Sequence, residues 1–415
     1  MPGATVGRAV GPPSTVGRLP DAGPAAAGRQ VRRPQEGADV VQEEKAVRIP
    51  RTIIAALSVA ALGVAACGGG ASPTPSPAAS PSPQASPSPV PSPSPVAFKA
   101  CQVSDTGGID DKSFNQNAWK GMQDAQAEFG IEIKFLESRA ATDYARNIQQ
   151  FISEGCDIII TVGFLLGDDT KKAAEANPNV RFAIVDFAYD PPVPNIEGLV
   201  YATDEAAMLA GYVSAAWSKT GKLATYGGIN IPPVTAFMDG FVAGANYYNK
   251  QKGKNVTVLG WDPVAKTGSF TGNFESTDDA KNLTLGFLQE GADVILPVGG
   301  PIGKGTFAAI EETGAQAVGL GVDVDWTITV PEYKQYMLTS IIKKIDVSVK
   351  GAIERALKGE AVQPVFVSTL KNGGVDIAPF HDYDSQISAE TKAELEALRQ
   401  AIIDGSVKVA DYLAK

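Results

Sequence analysis

The sequence predicts an α/β protein made of two doubly wound, Rossmann-like lobes with a ligand cleft between them, and three observations lead there. From Phe98 onward, short β-rich apolar runs alternate with amphipathic stretches. The runs are nearly continuous in apolar character, as strands of a parallel sheet covered on both faces must be. They also divide into two groups of about five, the second beginning near Lys222, and both groups open alike: a strand, a polar turn, then a helix with a phenylalanine near its start, Phe114 and Phe237.

In chain order the first group of strands reads "FKACQVS", "IEIKFLES", "CDIIITVG", "VRFAIVDF" and "IEGLVYAT". The second reads "KLATYGG", "VTVLGWD", "ADVILPVGG", "AVGLGVD" and "YMLTSIIK". Between them, helical periodicity predicts helices over 141–153, 204–219, 234–249, 275–289, 302–314 and 344–358. Three cysteines (Cys67, Cys101, Cys156) and one histidine (His381) leave little for a metal cage or a His-based relay. Cys101 and Cys156 lie in or beside apolar strands and read as buried thiols.

The N-terminal region reads as an address and a tether. Lys45, Arg48 and Arg51 precede an apolar run from Ile53 to Ala66, which suits a signal peptide and is short for a membrane span. The run ends "VAAC", similar to the site at which bacterial lipoproteins are cut and acylated, so Cys67 is the expected lipidation site and 47–66 the leader. Residues 1–46 carry no hydrophobic period and read as a misassigned N-terminal extension. The 67–97 segment, with ten prolines between Pro73 and Pro95, is an extended linker reaching at most roughly 80 Å. This organisation places the body outside the cytoplasm, anchored to the cell membrane by lipid.

The chain carries a net charge of −10, and residues 1–66 hold eight Lys/Arg against five Asp/Glu, so the remainder is more acidic still. An acidic body argues against nucleic acid as partner. In open α/β sheets ligands sit beyond the C-terminal ends of the strands. There the chain offers "SDTGGIDDKSFNQ", Gly163 with Phe164, Asp186 with Phe187, "GGINIPPVTAF", "GWDP", "VGGP" and "GVDVDW". An aspartate at a strand end serves as a helix cap or as a ligand contact, and Phe114 as core or as platform; the residues alone leave both open. Calcium-dependent nucleoside hydrolysis fits poorly, because Ser104, Thr106 and Gly107 stand where such a loop needs carboxylates and proline. "GGPIGKGTF" is not a phosphate loop, Lys304 notwithstanding. Neither a cofactor nor a metal is expected, which leaves reversible capture of a small molecule between two lobes.

"SDTGGIDDKSFNQNAWKGM", "VDF", "TAFMDGFVAG", "VGGPIGKG", "GVDVDW" and "SIIKKIDVSV" together resemble the basic membrane protein (BMP) family of lipoproteins over roughly residues 98–410. The resemblance implies a type I periplasmic-binding-protein fold with three crossovers. It implies a non-enzymatic substrate-binding protein that hands a purine nucleoside to an ABC permease and its ATPase. Residue by residue, it places Phe114 and Phe237 against the two faces of the base. Asp105, Asn115 and Asp186 then lie near the base edge, and Gly299, Gly300, Asp323 and Lys343 lie around the ribose, with Lys343 offsetting the charge of Asp323. Asp110, Asp111 and Lys112 are expected to organise the turn and cap the helix, and Trp326 to line the site or pack nearby. The lobes are expected to comprise 98–221 with about 321–343, and 222–320 with about 344–415.

Overall fold

The computed structural model describes residues 97–414. The extension 1–46, the leader 47–66, the lipidation site Cys67 and the linker up to residue 96 lie outside the described residues. The chain opens with β1 (Lys99–Ser104), α1 (Phe114–Phe129), β2 (Glu132–Leu136), α2 (Tyr144–Ser153), β3 (Ile158–Val162), α3 (Gly167–Ala176), β4 (Arg181–Val185) and β5 (Ile196–Tyr201). It continues through α4 (Thr203–Trp217), β6 (Lys222–Gly227), α5 (Pro232–Lys252), β7 (Thr257–Leu259) and a small hairpin of β8 (Trp261–Asp262) and β9 (Thr267–Gly268). After that come α6 (Thr277–Gln289), β10 (Val294–Val298), α7 (Gly303–Thr313), β11 (Val318–Asp323), α8 (Trp326–Thr329) and β12 (Met337–Lys343). The last elements are α9 (Ile345–Leu357), β13 (Val365–Ser368), β14 (Val375–Ile377) and α10 (Ala389–Ile403).

Two six-stranded sheets result, in the orders β13-β5-β4-β3-β1-β2 and β14-β12-β11-β10-β6-β7. Every pairing within them is parallel except that of β14 with β12. All five residues of β3, "IIITV", are buried, as are all five of β10, "VILPV". A parallel strand with helices on both faces has no solvent side, which is why the apolar runs do not alternate. The ten expected strands are all present.

The expected lobe boundaries need correction. About 321–343 is expected in the first lobe, yet β11 and β12 pair within the second sheet. About 344–415 is expected in the second lobe, yet β13 pairs with β5 in the first sheet. Ile345, Val349 and Ile353 of α9 share a core with Ala118 and Met122 of α1 and with Ile158 and Ile160 of β3. Conversely α4, inside the 98–221 assigned to the first lobe, packs its Leu209 and Val213 with Phe241 and Leu296 of the second. The chain therefore crosses between lobes around Ala202, at Lys344, and between Ser368 and Val375. Amphipathic periodicity says that a helix covers a sheet; it does not say which sheet, and α4 and α9 each cover the one they did not come from.

Cys101 and Cys156 are not free thiols but a disulfide. They are 55 residues apart in sequence. The sheet order places β3 directly beside β1, with Cys101 opposite Ile159, so the turn entering β3 comes alongside β1. Spacing could not reveal the bond because its cause is a strand order.

Candidate ligand-binding site

One cavity is lined from both lobes by residues at the C-terminal ends of their strands, with about 590 Å³ of empty space, part of it open to solvent. All nine residues expected to contact a ligand line it: Asp105, Phe114, Asn115, Asp186, Phe237, Gly299, Gly300, Asp323 and Lys343.

The first lobe's contribution is fixed by the turn before α1. The Asp111 carboxylate accepts from the backbone N–H groups of Ser113 (2.9 Å), Asn115 (2.8 Å) and Gln116 (3.0 Å). These are donors that a helix start leaves unpaired, so Asp111 locks the first turn and with it Phe114, the first residue of α1. Burial pushes the Asp111 carboxyl up to about 6 against the opposing effect of those N–H groups. The capping role expected of this run thus belongs to Asp111, which also lines the cavity, whereas Asp110 and Lys112 do not line it.

Asp105 follows β1 and accepts from Asn115 Nδ2 at 2.9 Å. Its carboxyl lies against the backbone of Gly163, where an added Cβ would come within 2.4 Å of Asp105 Oδ2. Gly163 also has φ +118°, so any side chain there is excluded twice over. Burial raises the Asp105 pKa well above the ordinary carboxylate range, opposed mainly by the Asn115 hydrogen bond. A carboxyl held this way can retain its proton and donate as well as accept. Asn115 Oδ1 is buried and has no hydrogen-bond partner among the described residues, leaving an open acceptor on a cavity-lining side chain.

Across the cleft, Lys343 ends β12 and sends its ammonium into the first lobe. Nζ is 2.6 Å from Asp186 Oδ2, with only 2% of the lysine side chain exposed. The same nitrogen lies 4.9 Å from the Phe114 ring centroid, 4.8 Å from Tyr201 and 5.8 Å from Phe237. A desolvated cation against aromatic faces is held electrostatically as well as by its counter-ion. Lys343 hydrogen-bonds Asp186 and offsets the charge of Asp323 through its field, while Asp323 accepts directly from Ser113 Oγ at 2.8 Å. Burial raises the Asp323 pKa, and the field of Lys343 and the Ser113 hydroxyl oppose it. Asp186 and Asp323 both have φ of 70°, a left-handed conformation that aspartate tolerates better than most residues.

Several features lay beyond the sequence reading. Phe274 enters the cavity from the loop before α6, away from any strand end, and no pattern marks it. In the sequence Tyr201 reads only as strand, and Ser113 only as part of a motif. Trp326 packs rather than lines: it is 1% exposed, lies against Phe307 and donates its indole N–H to Val322 O. His381 sits with Nε2 2.7 Å from Asp325 Oδ2, outside the cavity lining.

Residues 98–412 match the family model described as Bmp, ABC transporter substrate-binding protein PnrA-like. A Lactococcus lactis protein named ABC transporter nucleoside-binding protein BmpA is 28% identical over 330 residues, covering 75% of this chain and 88% of the relative. Basic membrane protein A of Borreliella burgdorferi is 29% identical over 307 residues, covering 73% of this chain and 85% of the relative. Among solved structures, an ABC transporter solute-binding protein from Aeropyrum pernix superposes with a TM-score of 0.68 at 25% identity, covering 75% of this chain and 92% of that one. The architecture is the type I periplasmic-binding-protein fold.

Proposed function

Because this chain belongs to the Bmp family of PnrA-like ABC transporter substrate-binding proteins, which are binding proteins and not enzymes, we propose that its cleft captures a nucleoside, with purine nucleosides preferred, for delivery to an ABC permease and its ATPase. The observation that carries the reading is that Phe114 and Phe237, contributed by opposite lobes, line one cavity together with buried carboxyls and a single ammonium. Aromatic faces stack on any heterocyclic base, at about 1–3 kcal/mol each. In this reading Asp105, Asn115 and Asp186 address the base edge, the protonated Asp105 acting as donor and Asn115 Oδ1 as acceptor. Asp323 takes hydrogens from the ribose hydroxyls, Lys343 donates to them, and the backbone at Gly299 and Gly300 permits close approach of the sugar. The name of the Lactococcus relative supports a nucleoside as cargo.

The mature protein begins at Cys67, acylated and embedded in the membrane, with the 67–97 segment as its leash. The Cys101–Cys156 disulfide supports a location outside the reducing cytoplasm. Titration calorimetry with inosine, guanosine, adenosine and uridine tests the cargo. Saturable binding is expected for the purine nucleosides, weaker for uridine, and heat-silent titrations with all four would overturn it. Acylation is checked by radiolabelled fatty-acid incorporation, which Cys67→Ser abolishes if Cys67 is the anchor.

A further inference from the structure

We propose that Ser113, which does not line the cavity, is a positioning residue that latches the two lobes together and holds the carboxylate of Asp323 in its binding orientation. Ser113 is 0% exposed and stands on the first lobe at the mouth of α1. Its hydroxyl reaches Asp323 Oδ2 at 2.8 Å and Val322 O at 3.0 Å, both on β11 of the second lobe. One hydroxyl has one proton. Asp323 Oδ2 is the nearer acceptor and the charged one, so it takes the Ser113 proton in preference to Val322 O, which also accepts the Trp326 indole N–H at 2.9 Å. Among the described residues no other hydrogen-bond donor reaches the Asp323 carboxylate, which is 5% exposed and sits on a left-handed backbone. A buried carboxylate without a donor carries a heavy desolvation cost. The field of Lys343 in its own lobe helps to hold the charge, and the one hydrogen-bond donor that orients the Asp323 carboxylate comes from the opposite lobe.

The prong that carries Ser113 is built to reach. Asp111 pins the backbone N–H of Ser113 itself and those of the next turn. On the facing side, Gly300 has φ +59°, and a Cβ there would lie 3.7 Å from Ser113 Cβ, so the second lobe meets the prong with bare backbone. Separating the lobes breaks the Ser113–Asp323 bond and frees the carboxylate at once. Closure and assembly of the binding geometry are therefore one event, and the latch adds its energy to whatever the ligand supplies.

This inference rests on the nucleoside reading for its ligand arm only, and the experiment separates the two. The first arm needs no ligand: spin labels at Lys172→Cys on α3 and Asn282→Cys on α6 report the distance between lobes by pulsed electron–electron resonance. Ser113→Ala is expected to shift the unliganded distribution to longer distances, and Ser113→Thr, which keeps the hydroxyl, to restore it. An unchanged distribution in Ser113→Ala would overturn the latch whatever the cargo. The second arm is calorimetry with inosine and 3′-deoxyinosine. Ser113→Ala is expected to weaken inosine about ten-fold or more, the usual range for a hydrogen bond to a charged group. It should weaken 3′-deoxyinosine less, with threonine rescuing both. Equal losses for the two ligands would show that Ser113 does not act through Asp323. If the wild type binds neither ligand, the nucleoside reading fails, and the distance measurement still decides the latch.

Discussion

Asp186 and Asp323 occupy the same station in the two lobes. One follows β4 and the other ends β11, each the fourth strand in its sheet counted from the β2 or β7 edge, and each turns its backbone to φ 70°. Their partners differ. Asp186 in the first lobe faces the Lys343 ammonium of the second, and Asp323 in the second faces the Ser113 hydroxyl of the first. A duplicated backbone thus presents two carboxyls, each held by a group from the opposite lobe, one by a full charge and one by a neutral donor. The difference teaches that fold symmetry sets where the acids stand, while the cross-lobe partner sets what each can do. Each acid accepts one bond through Oδ2 and keeps its other oxygen for a ligand; what differs is that one is held by a charge and the other by a neutral hydroxyl.

The most severe break of that comparison is Lys343→Met, which strands the Asp186 carboxylate in a buried site. It is expected to cost about 3–5 kcal/mol in urea unfolding and to abolish nucleoside binding, with Asp186→Asn added to it recovering part of the stability. Next comes the covalent asymmetry, since only the first lobe carries a disulfide. Replacing Cys101 and Cys156 together by serine should lower unfolding free energy by about 2–4 kcal/mol while leaving ligand affinity near wild type in calorimetry, because neither cysteine lines the cavity.

Smaller effects sharpen the comparison. Phe114→Ala and Phe237→Ala should each weaken nucleoside binding by about one to two orders of magnitude, and unchanged affinity for either would remove that ring from the stacking model. Asp323→Ala should hurt ribonucleosides more than 2′-deoxynucleosides, which already lack one hydroxyl for it to bind. A pH effect stands apart from these, since it is read in stability and not in binding. Asp111 has its pKa raised from 3.8 to about 6, so the folded state holds a proton that the unfolded chain releases. The stability this gives is present below the unfolded value and is lost as pH rises through about 6. Asp111→Asn should remove that share of the slope when unfolding is measured between pH 4 and 7, and an unaltered slope would contradict the assigned shift.

The central strands were legible because burial on both faces leaves a local imprint, an uninterrupted apolar run, in strands such as β3 and β10. The edge strands β2 and β7 have no fully buried residue and were legible from their β-rich composition between turns. The acids and aromatics at strand ends were legible because parallel sheets direct ligands there. Phe274 was not, since a loop residue carries no period. Ser113 was not, since its partner lies 210 positions away.

By itself, then, the sequence determined the element types, the duplication, the cavity-lining residues at strand ends and the resemblance to a binding-protein family, all of which rest on local pattern. Only the tertiary structure decided which sheet each of α4, α9, β11 and β12 serves, which two cysteines meet, and that Lys343 pairs with Asp186 while Asp323 pairs with Ser113. Those outcomes depend on strand order and on crossings between lobes, and a one-dimensional pattern carries no record of which distant segments become neighbours.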